Sequence, residues 1–190
     1  MNDDRSRSSL LVPPSAQDWI QGVLSAKVVL VMYGDYQCSR SANVYKMIKA
    51  NKRELSAAFG EDYLCFIFRH FPQTQIYPHA QRAAQAAVAA AAQGKFWLMS
   101  DTLFDHQQRL ENGYLVEYAN NLGLDIPQFL KELSKQVHVD RINVDRINKD
   151  IEGGIQSGVT TAPALFINGS RYIGHWNTAE LMAAIIVASH

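Results

Sequence analysis

The stretch 28-VVLVMYGDYQCSRSANVYK-46 changes character twice within nineteen residues. Val28 to Met32 form a short apolar, β-branched run. Such a run reads as a strand buried on both faces, the pattern of parallel sheets. Gly34-Asp35 closes it. From Ser39 onward the apolar residues fall at helical spacing: Val44, Met47, Ile48, Leu55 and Phe59 share one face, and Gly60 is the expected stop. Cys38 stands between the two patterns, and Ser41 occupies the position where a second cysteine would complete a redox pair.

Working outward, 63-YLCFIFRHFP-72 is a second apolar run of strand length, ended by Pro72. Strand, helix and strand within about 45 residues make a βαβ unit with parallel strands and a right-handed crossover. A helical region follows. The alanine-rich 79-HAQRAAQAAVAAAAQG-94 is a strong helix former, and 95-KFWLMSDTLFDHQ-107, 112-NGYLVEYANNLG-123 and 126-IPQFLKELSKQ-136 read as three more helices. Pro127 fits a first helical turn. The tandem VDRIN of residues 139–148 is too short a unit for a solenoid. It reads instead as part of one helix with Val144, Ile147, Ile151 and Ile155 inward and Arg146/Asp150 as an i, i+4 pair. Near the end, ALFIN and RYIGH joined through Asn168-Gly169 carry a hairpin signal. A last helix begins at Asn177 or Thr178, with Glu180 completing the cap.

Composition excludes several functions. The 190 residues are 47% hydrophobic and 19% charged, enough for a core without disulfides. Eighteen basic residues balance eighteen acidic ones, so no basic excess points to nucleic acid. No apolar run reaches the roughly 18 residues of a membrane span. Residues 1–17 read as a flexible arm without the apolar stretch of a secretory signal, which gives a cytoplasmic expectation. Cys38 and Cys65 do not match zinc-ligand spacing, and cytosolic thiols are normally reduced.

The order β-α-β, helices, β-β-α is that of a thioredoxin fold with an inserted helical subdomain, an α/β class with a mixed central sheet. The expected division is 18–73 plus 138–190 for the thioredoxin-fold domain and 74–137 for the insertion. Four segments carry a family resemblance. VVLVMYGDYQC resembles the first strand and active-site turn of DsbA-like thiol–disulfide oxidoreductases, where GDYxCPxC is common. FRHFP is similar to the end of that family's second strand. YPHAQRAAQAA matches text of the form HPHAxRAA. GVTTAPALFINGSRYIG resembles GVxGTPTFFINGxxxxG, which carries the family's cis-proline. The resemblance spans residues 18 to 188.

That resemblance implies attack by Cys38 at the catalytic turn, a cis bond before Pro163, and substrate binding along Thr161, Ala162 and Pro163, with Ser39, Arg40 and Tyr36 nearby. Three positions depart from the pattern. Ser41 replaces the resolving cysteine, Ser39 the usual proline, and Ala162 the usual threonine or valine. A thiolate is the nucleophile, and a helix N-terminus stabilises it. Arg40 can add positive charge, and the hydroxyls of Ser39 and Ser41 can donate to the sulfur. A lone thiol forms a mixed disulfide, and release then needs an outside thiol such as glutathione. The expected partners are therefore protein or peptide thiols and disulfides, with glutathione as a co-substrate and no bound cofactor or metal.

Two other readings remain open. One is a glutathione-dependent transferase resembling the kappa class, with Ser39 or Ser41 holding the glutathione sulfur. The other is a redox-silent peptide-binding or chaperone-like domain. Cys65, early in its strand, is expected to be a core residue on the order of 10 Å or more from Cys38. His70, His79 and His175 are scattered and read as surface or core histidines. Tyr33, Tyr36, Phe96 and Trp97 read as core aromatics that could instead line a groove.

Overall fold

The computed structural model describes residues 9–135 and 144–190. Residues 1–8 of the expected arm, the first VDRIN copy and the expected boundary near residue 137 lie outside those residues. Five strands form one sheet in the order β1-β3-β2-β4-β5. β2 (Val28–Gly34) and β3 (Leu64–His70) pair in parallel at the centre, Val28 opposite Leu64 and Gly34 opposite His70. All seven residues of β3 are buried, as are six of β2, which is why both read as unbroken apolar runs. β1 (Trp19–Gln21) adds an antiparallel edge beside β3. At three residues it is too short to leave a periodic signature. β4 (Ala164–Ile167) pairs antiparallel with the other side of β2, and β5 (Ser170–Arg171) completes the hairpin.

The hairpin turns where both central residues have positive φ, Asn168 at 46° and Gly169 at 81°, as a two-residue loop of this hand requires. The Asn168 side chain also accepts from Val29 N–H at 2.8 Å and donates to the Ala188 carbonyl at 2.9 Å. One turn residue thus ties the central sheet to the last helix.

α1 (Ser39–Phe59) crosses from β2 to β3 and buries Val44, Ile48 and Leu55, with Met47 partly covered. Phe59, expected inward, is 58% exposed. It is the last helical residue, past the edge of the core, and it stacks on Tyr63 with ring centroids 4.6 Å apart. α2 (Ala80–Ala91), α3 (Phe96–Asp105), α4 (Asn112–Asn121) and α5 (Ile126–Lys135) follow in the expected places. α7 (Thr178–Ala188) is capped by Asn177, which accepts from Glu180 N–H at 2.9 Å.

α6 (Val144–Gln156) buries Ile147 and Asp150 and partly covers Ile151. Ile155, expected inward, is 61% exposed. The helix instead turns Gly153 and Gly154 toward the sheet. A Cβ on Gly154 would lie 3.0 Å from Phe71 and 3.1 Å from Tyr33, so close approach here depends on glycine. The expected Arg146–Asp150 pair forms at 3.1 Å. It belongs to a buried network in which Arg69 and Arg146 both bind Asp18, and Asp150 also binds His70.

The same network holds the chain before β1. Arg69 donates to the carbonyls of Val12 and Pro13, and Leu10 N–H to that of Gly169. Residues 9–13, expected within a flexible arm, are instead tied to the fold by these bonds.

The sheet alternates its side chains between two cores. Leu30, Met32, Leu64, Phe66 and Phe68 join the large cluster under α1 and the helical insertion. Val31, Tyr33, Cys65 and Ile67 face a smaller cluster with Val159, Ala162 and Phe166. Among the described residues no helix is long and apolar enough to cross a membrane.

Candidate active site

Four segments meet beyond the C-terminal end of β2: the turn 35–38, the start of α1, the loop from Pro72 to His79, and residues 161–163 before β4. The carboxyl ends of parallel strands are where open α/β sheets assemble their sites. Here the β2–β4 register, Tyr33 opposite Ala164, brings Ala162 beside the turn. The Ala162–Pro163 peptide is cis.

Cys38 is the N-cap residue of α1, with extended φ −80° and ψ 118°. Its N–H donates to the Asp35 carbonyl at 3.2 Å, and its carbonyl accepts from Ala42 N–H at 3.1 Å. Cys38 is 3% exposed, and its sulfur donates to the Ala162 carbonyl at 3.7 Å. The thiol therefore faces the backbone that the resemblance assigns to substrate. Both cysteines are free.

Ser41 does not serve the sulfur in the way the sequence suggested. It is fully buried, and its hydroxyl accepts from Asp35 N–H at 3.2 Å. Ser39 and Arg40 are exposed at the rim. Tyr36 is not a groove residue: it is 1% exposed, packed against Phe68 and Phe104, with its hydroxyl 2.7 Å from that of Ser100. Burial drives the Tyr36 phenol far above its ordinary range. Tyr33 and Phe96 are likewise buried, and Trp97 is partly covered. Thr161 is exposed and donates to Gln73 Oε1 at 2.6 Å. Pro163 is half-buried.

Four residues that the sequence reading did not single out complete the site. Asp35 is 1% exposed, and its two carboxylate oxygens accept from Gln37 N–H and Gln73 N–H, both at 2.8 Å. Burial raises its carboxyl above the ordinary 3.8, and those two N–H groups with that of Cys38 oppose the shift. Gln73 thereby clamps the loop after β3 onto the turn. Gln107, following α3, donates from Nε2 to the carbonyls of Tyr36 at 2.7 Å and Cys38 at 2.9 Å. Interaction with Cys38, then burial and Asp35, raises the Tyr77 phenol above the ordinary 10.0, with Arg40 opposing. Asp35 and Tyr77 stand inside GDYQC and YPHAQRAA, so the motifs contained them. Nothing in the sequence around Gln107 marks it.

His70 is a core residue, bonded through Nδ1 to Asp150 at 3.1 Å. His175 is an exposed partner of Glu180 at 2.9 Å. His79 contributes its backbone, donating to Gln37 Oε1 at 2.8 Å. Cys65 lies opposite Val29, five residues before the end of β2. That is about 16 Å along the strand at roughly 3.3 Å per residue, and its side chain faces the second core.

This chain belongs to the thioredoxin family: the family model described as Thioredoxin matches residues 15–186. Its fold is DsbA-like. It superposes on the thiol–disulfide exchange protein α-DsbA2 from Wolbachia pipientis with a TM-score of 0.75 and 19% identity, covering 91% of this chain and 88% of that one. Oxidised BdbD from Bacillus subtilis gives 0.75 and 18%, covering 96% and 98%. In sequence the chain is 38% identical over 169 residues to a protein named Na(+)/H(+) antiporter NhaA 1 from Mycolicibacterium vanbaalenii. The match takes in 89% of this chain and 26% of that relative, so the chain spans about a quarter of the length of such relatives.

Proposed function

We propose that this protein catalyses thiol–disulfide exchange through one cysteine. The observation that carries the reading is the position of Cys38: a free thiol on the N-cap of α1, directed at the Ala162 carbonyl, with Ser41 buried and Cys65 paired opposite Val29 within β3. As a thiolate, Cys38 attacks one sulfur of a protein or peptide disulfide. A bond forms between Cys38 Sγ and that sulfur, the original S–S bond breaks, and the other sulfur leaves as a thiolate that takes up a proton. An external thiol such as glutathione then resolves the mixed disulfide. The described residues contain no second cysteine at the turn to do so. No bound cofactor enters this scheme. A reaction that consumes external thiols suits the cytoplasm, where thiols are kept reduced.

The test is a glutathionylated peptide incubated with the protein, read by intact mass. A Cys38-linked adduct that glutathione clears supports the reading, and Cys38→Ala should form none. Adding the missing thiol with Ser41→Cys should let the turn close its own disulfide and release substrate without glutathione. Failure of the wild type to form any Cys38 adduct overturns the proposal. The kappa-like alternative needs a hydroxyl to hold the glutathione sulfur; burial weighs against Ser41 in that part, and Ser39, exposed at the rim, is its candidate. Conjugation of glutathione to an electrophile would revive it. Peptide binding without any adduct would favour the redox-silent alternative.

The relatives named as antiporters suggest a partner class. Their matched segment sits within a chain about four times as long, so we propose an ion antiporter as one partner. Mass spectrometry of proteins disulfide-linked to Cys38 in cells tests this directly, and an absence of antiporter peptides counts against it.

A further inference from the structure

Residues 161–163 stand between two anchors. Before them, Val159 N–H donates to the Gly154 carbonyl at 2.8 Å. After them, Ala164 enters the ladder opposite Tyr33. Within the segment, the exposed Thr161 hydroxyl donates to Gln73 Oε1 at 2.6 Å. A hydroxyl has one proton to give. The Ala162 carbonyl lies farther from Thr161 Oγ1, at 3.4 Å, so it is left to accept from Cys38 Sγ at 3.7 Å.

Gln73 can hold Thr161 because its own main chain is committed. Its N–H donates to Asp35 Oδ2 at 2.8 Å, and its carbonyl accepts from the N–H groups of Ile76 and Tyr77, both at 2.9 Å. Asp35 is buried and belongs to the catalytic turn: its other carboxylate oxygen accepts from Gln37 N–H at 2.8 Å, and its carbonyl accepts from Cys38 N–H at 3.2 Å. The bonds close a ring. It runs from Cys38 to Asp35, from Asp35 to Gln73, from Gln73 to Thr161, and through Ala162 back to the Cys38 sulfur. The Gln73 side chain is the link that joins the loop after β3 to the segment before β4.

We infer that Gln73 is a positioning residue for peptide substrates: by holding Thr161 it sets residues 161–163 against the catalytic turn, so that a peptide laid along that backbone presents its sulfur to Cys38. This rests on the single-cysteine reaction proposed above. Gln73 acts through Thr161 and Ala162, not on the thiol. A small disulfide that makes no use of the backbone therefore reacts with Cys38 equally well without Gln73, and a peptide does not.

The test compares two activated disulfides, a peptide thiol and mercaptoethanol, each joined to a pyridyl sulfur. Cys38 Sγ bonds to the peptide or mercaptoethanol sulfur, the bond to the pyridyl sulfur breaks, and pyridinethione leaves with the electron pair. Its absorbance gives the rate, and mass mapping places the adduct on Cys38. Gln73→Leu keeps the main-chain bonds and removes the side-chain acceptor. The ratio of peptide rate to mercaptoethanol rate should fall roughly fivefold, the net worth of one hydrogen bond. Thr161→Val breaks the same bond from the exposed side and should lose as much, which also serves should Gln73→Leu not fold. The double variant should lose no more than either single one. Gln73→Glu keeps an acceptor oxygen and should recover most of the ratio, since any effect of its charge on the thiol applies to both disulfides. A wild-type ratio in Gln73→Leu would overturn the inference. So would an equal loss on both disulfides, the mark of a bond that serves stability alone. A wild type that reacts with neither activated disulfide overturns both the inference and the proposed function. If the ratios shift as expected but a glutathionylated peptide forms no adduct, the proposed function fails and the role of Gln73 stands.

Discussion

Cys38 and Cys65 differ little in exposure, at 3% and 0%, and both are free thiols. Their surroundings have almost nothing in common. Cys65 lies within β3, with Val31, Ile67 and Phe166 among its cluster. Burial pushes its thiol up to about 11; Lys52 opposes the shift and Asp18 adds to it. Cys38 sits where a strand has ended and a helix begins, so the backbone around it is not committed to a ladder. The Ala162 carbonyl and the Gln107 amide converge on that one residue. Solvent exposure therefore does not separate the thiol proposed to react from the one in the core. What separates them is whether polar groups from distant segments can reach the sulfur and its backbone.

The sharpest way to break this contrast is to remove each thiol in turn. Cys38→Ala should reduce disulfide exchange to background, while Cys65→Val, close in volume, should leave at least half the activity in the same glutathionylated-peptide assay. Loss of activity in Cys65→Val with an unchanged melting temperature would erase the distinction. Alkaline stability probes the other side. Because the Cys65 thiol ionises near 9.0 unfolded and about 11 folded, the folded state holds the proton longer. Stability then falls as pH rises through that window, by about 3 kcal/mol at most. Urea midpoints of the wild type should decline relative to Cys65→Val between those pH values, and parallel curves would contradict the burial effect.

Gln107→Ala tests whether the turn is held from the helical insertion. It leaves two carbonyls without their side-chain donor, at a cost of about 1–2 kcal/mol, and should slow Cys38 adduct formation several-fold while sparing Cys65. An unchanged rate would mean that the turn keeps its shape without this clamp. The smallest effect concerns Asp35. Its carboxyl is raised in the folded state by burial, so just above pH 3.8 the native protein holds more protons than the unfolded chain. Asp35 then makes stability fall as pH rises through that interval. Asp35→Asn should flatten the slope of unfolding free energy just above pH 3.8, and an unaltered slope would assign it to other groups.

Much of the fold was legible because its signals are local. The runs around Val28 and Leu64, the alanine-rich helix and the Asn168-Gly169 turn each carry their pattern within a few residues. β1 was not legible, since three residues hold no period. Ile155 misled because helical spacing identifies an apolar stripe without stating what packs on it. The glycine pair at 153–154 let Phe71 and Tyr33 approach another face. Within the site, Cys38 and Ala162 could be located by motif, whereas Tyr36, read both as a core aromatic and as a neighbour of the substrate, turned out to be core. An aromatic beside a catalytic cysteine looks the same in sequence whether it lines a groove or, as here, fills the core against Phe68 and Phe104.

By itself the sequence determined the order of strands and helices from β2 onward, the parallel pairing of β2 with β3, and the presence of one cysteine at the strand–helix junction with serine three residues on. These follow from short-range periodicity and from the identity of single residues. Only the tertiary structure decided what that cysteine meets. Gln107 lies 69 positions from Cys38 and Ala162 lies 124. Their approach depends on strand order and on loops clamped by Asp35 and Gln73, and no local pattern encodes the meeting of groups so far apart along the chain.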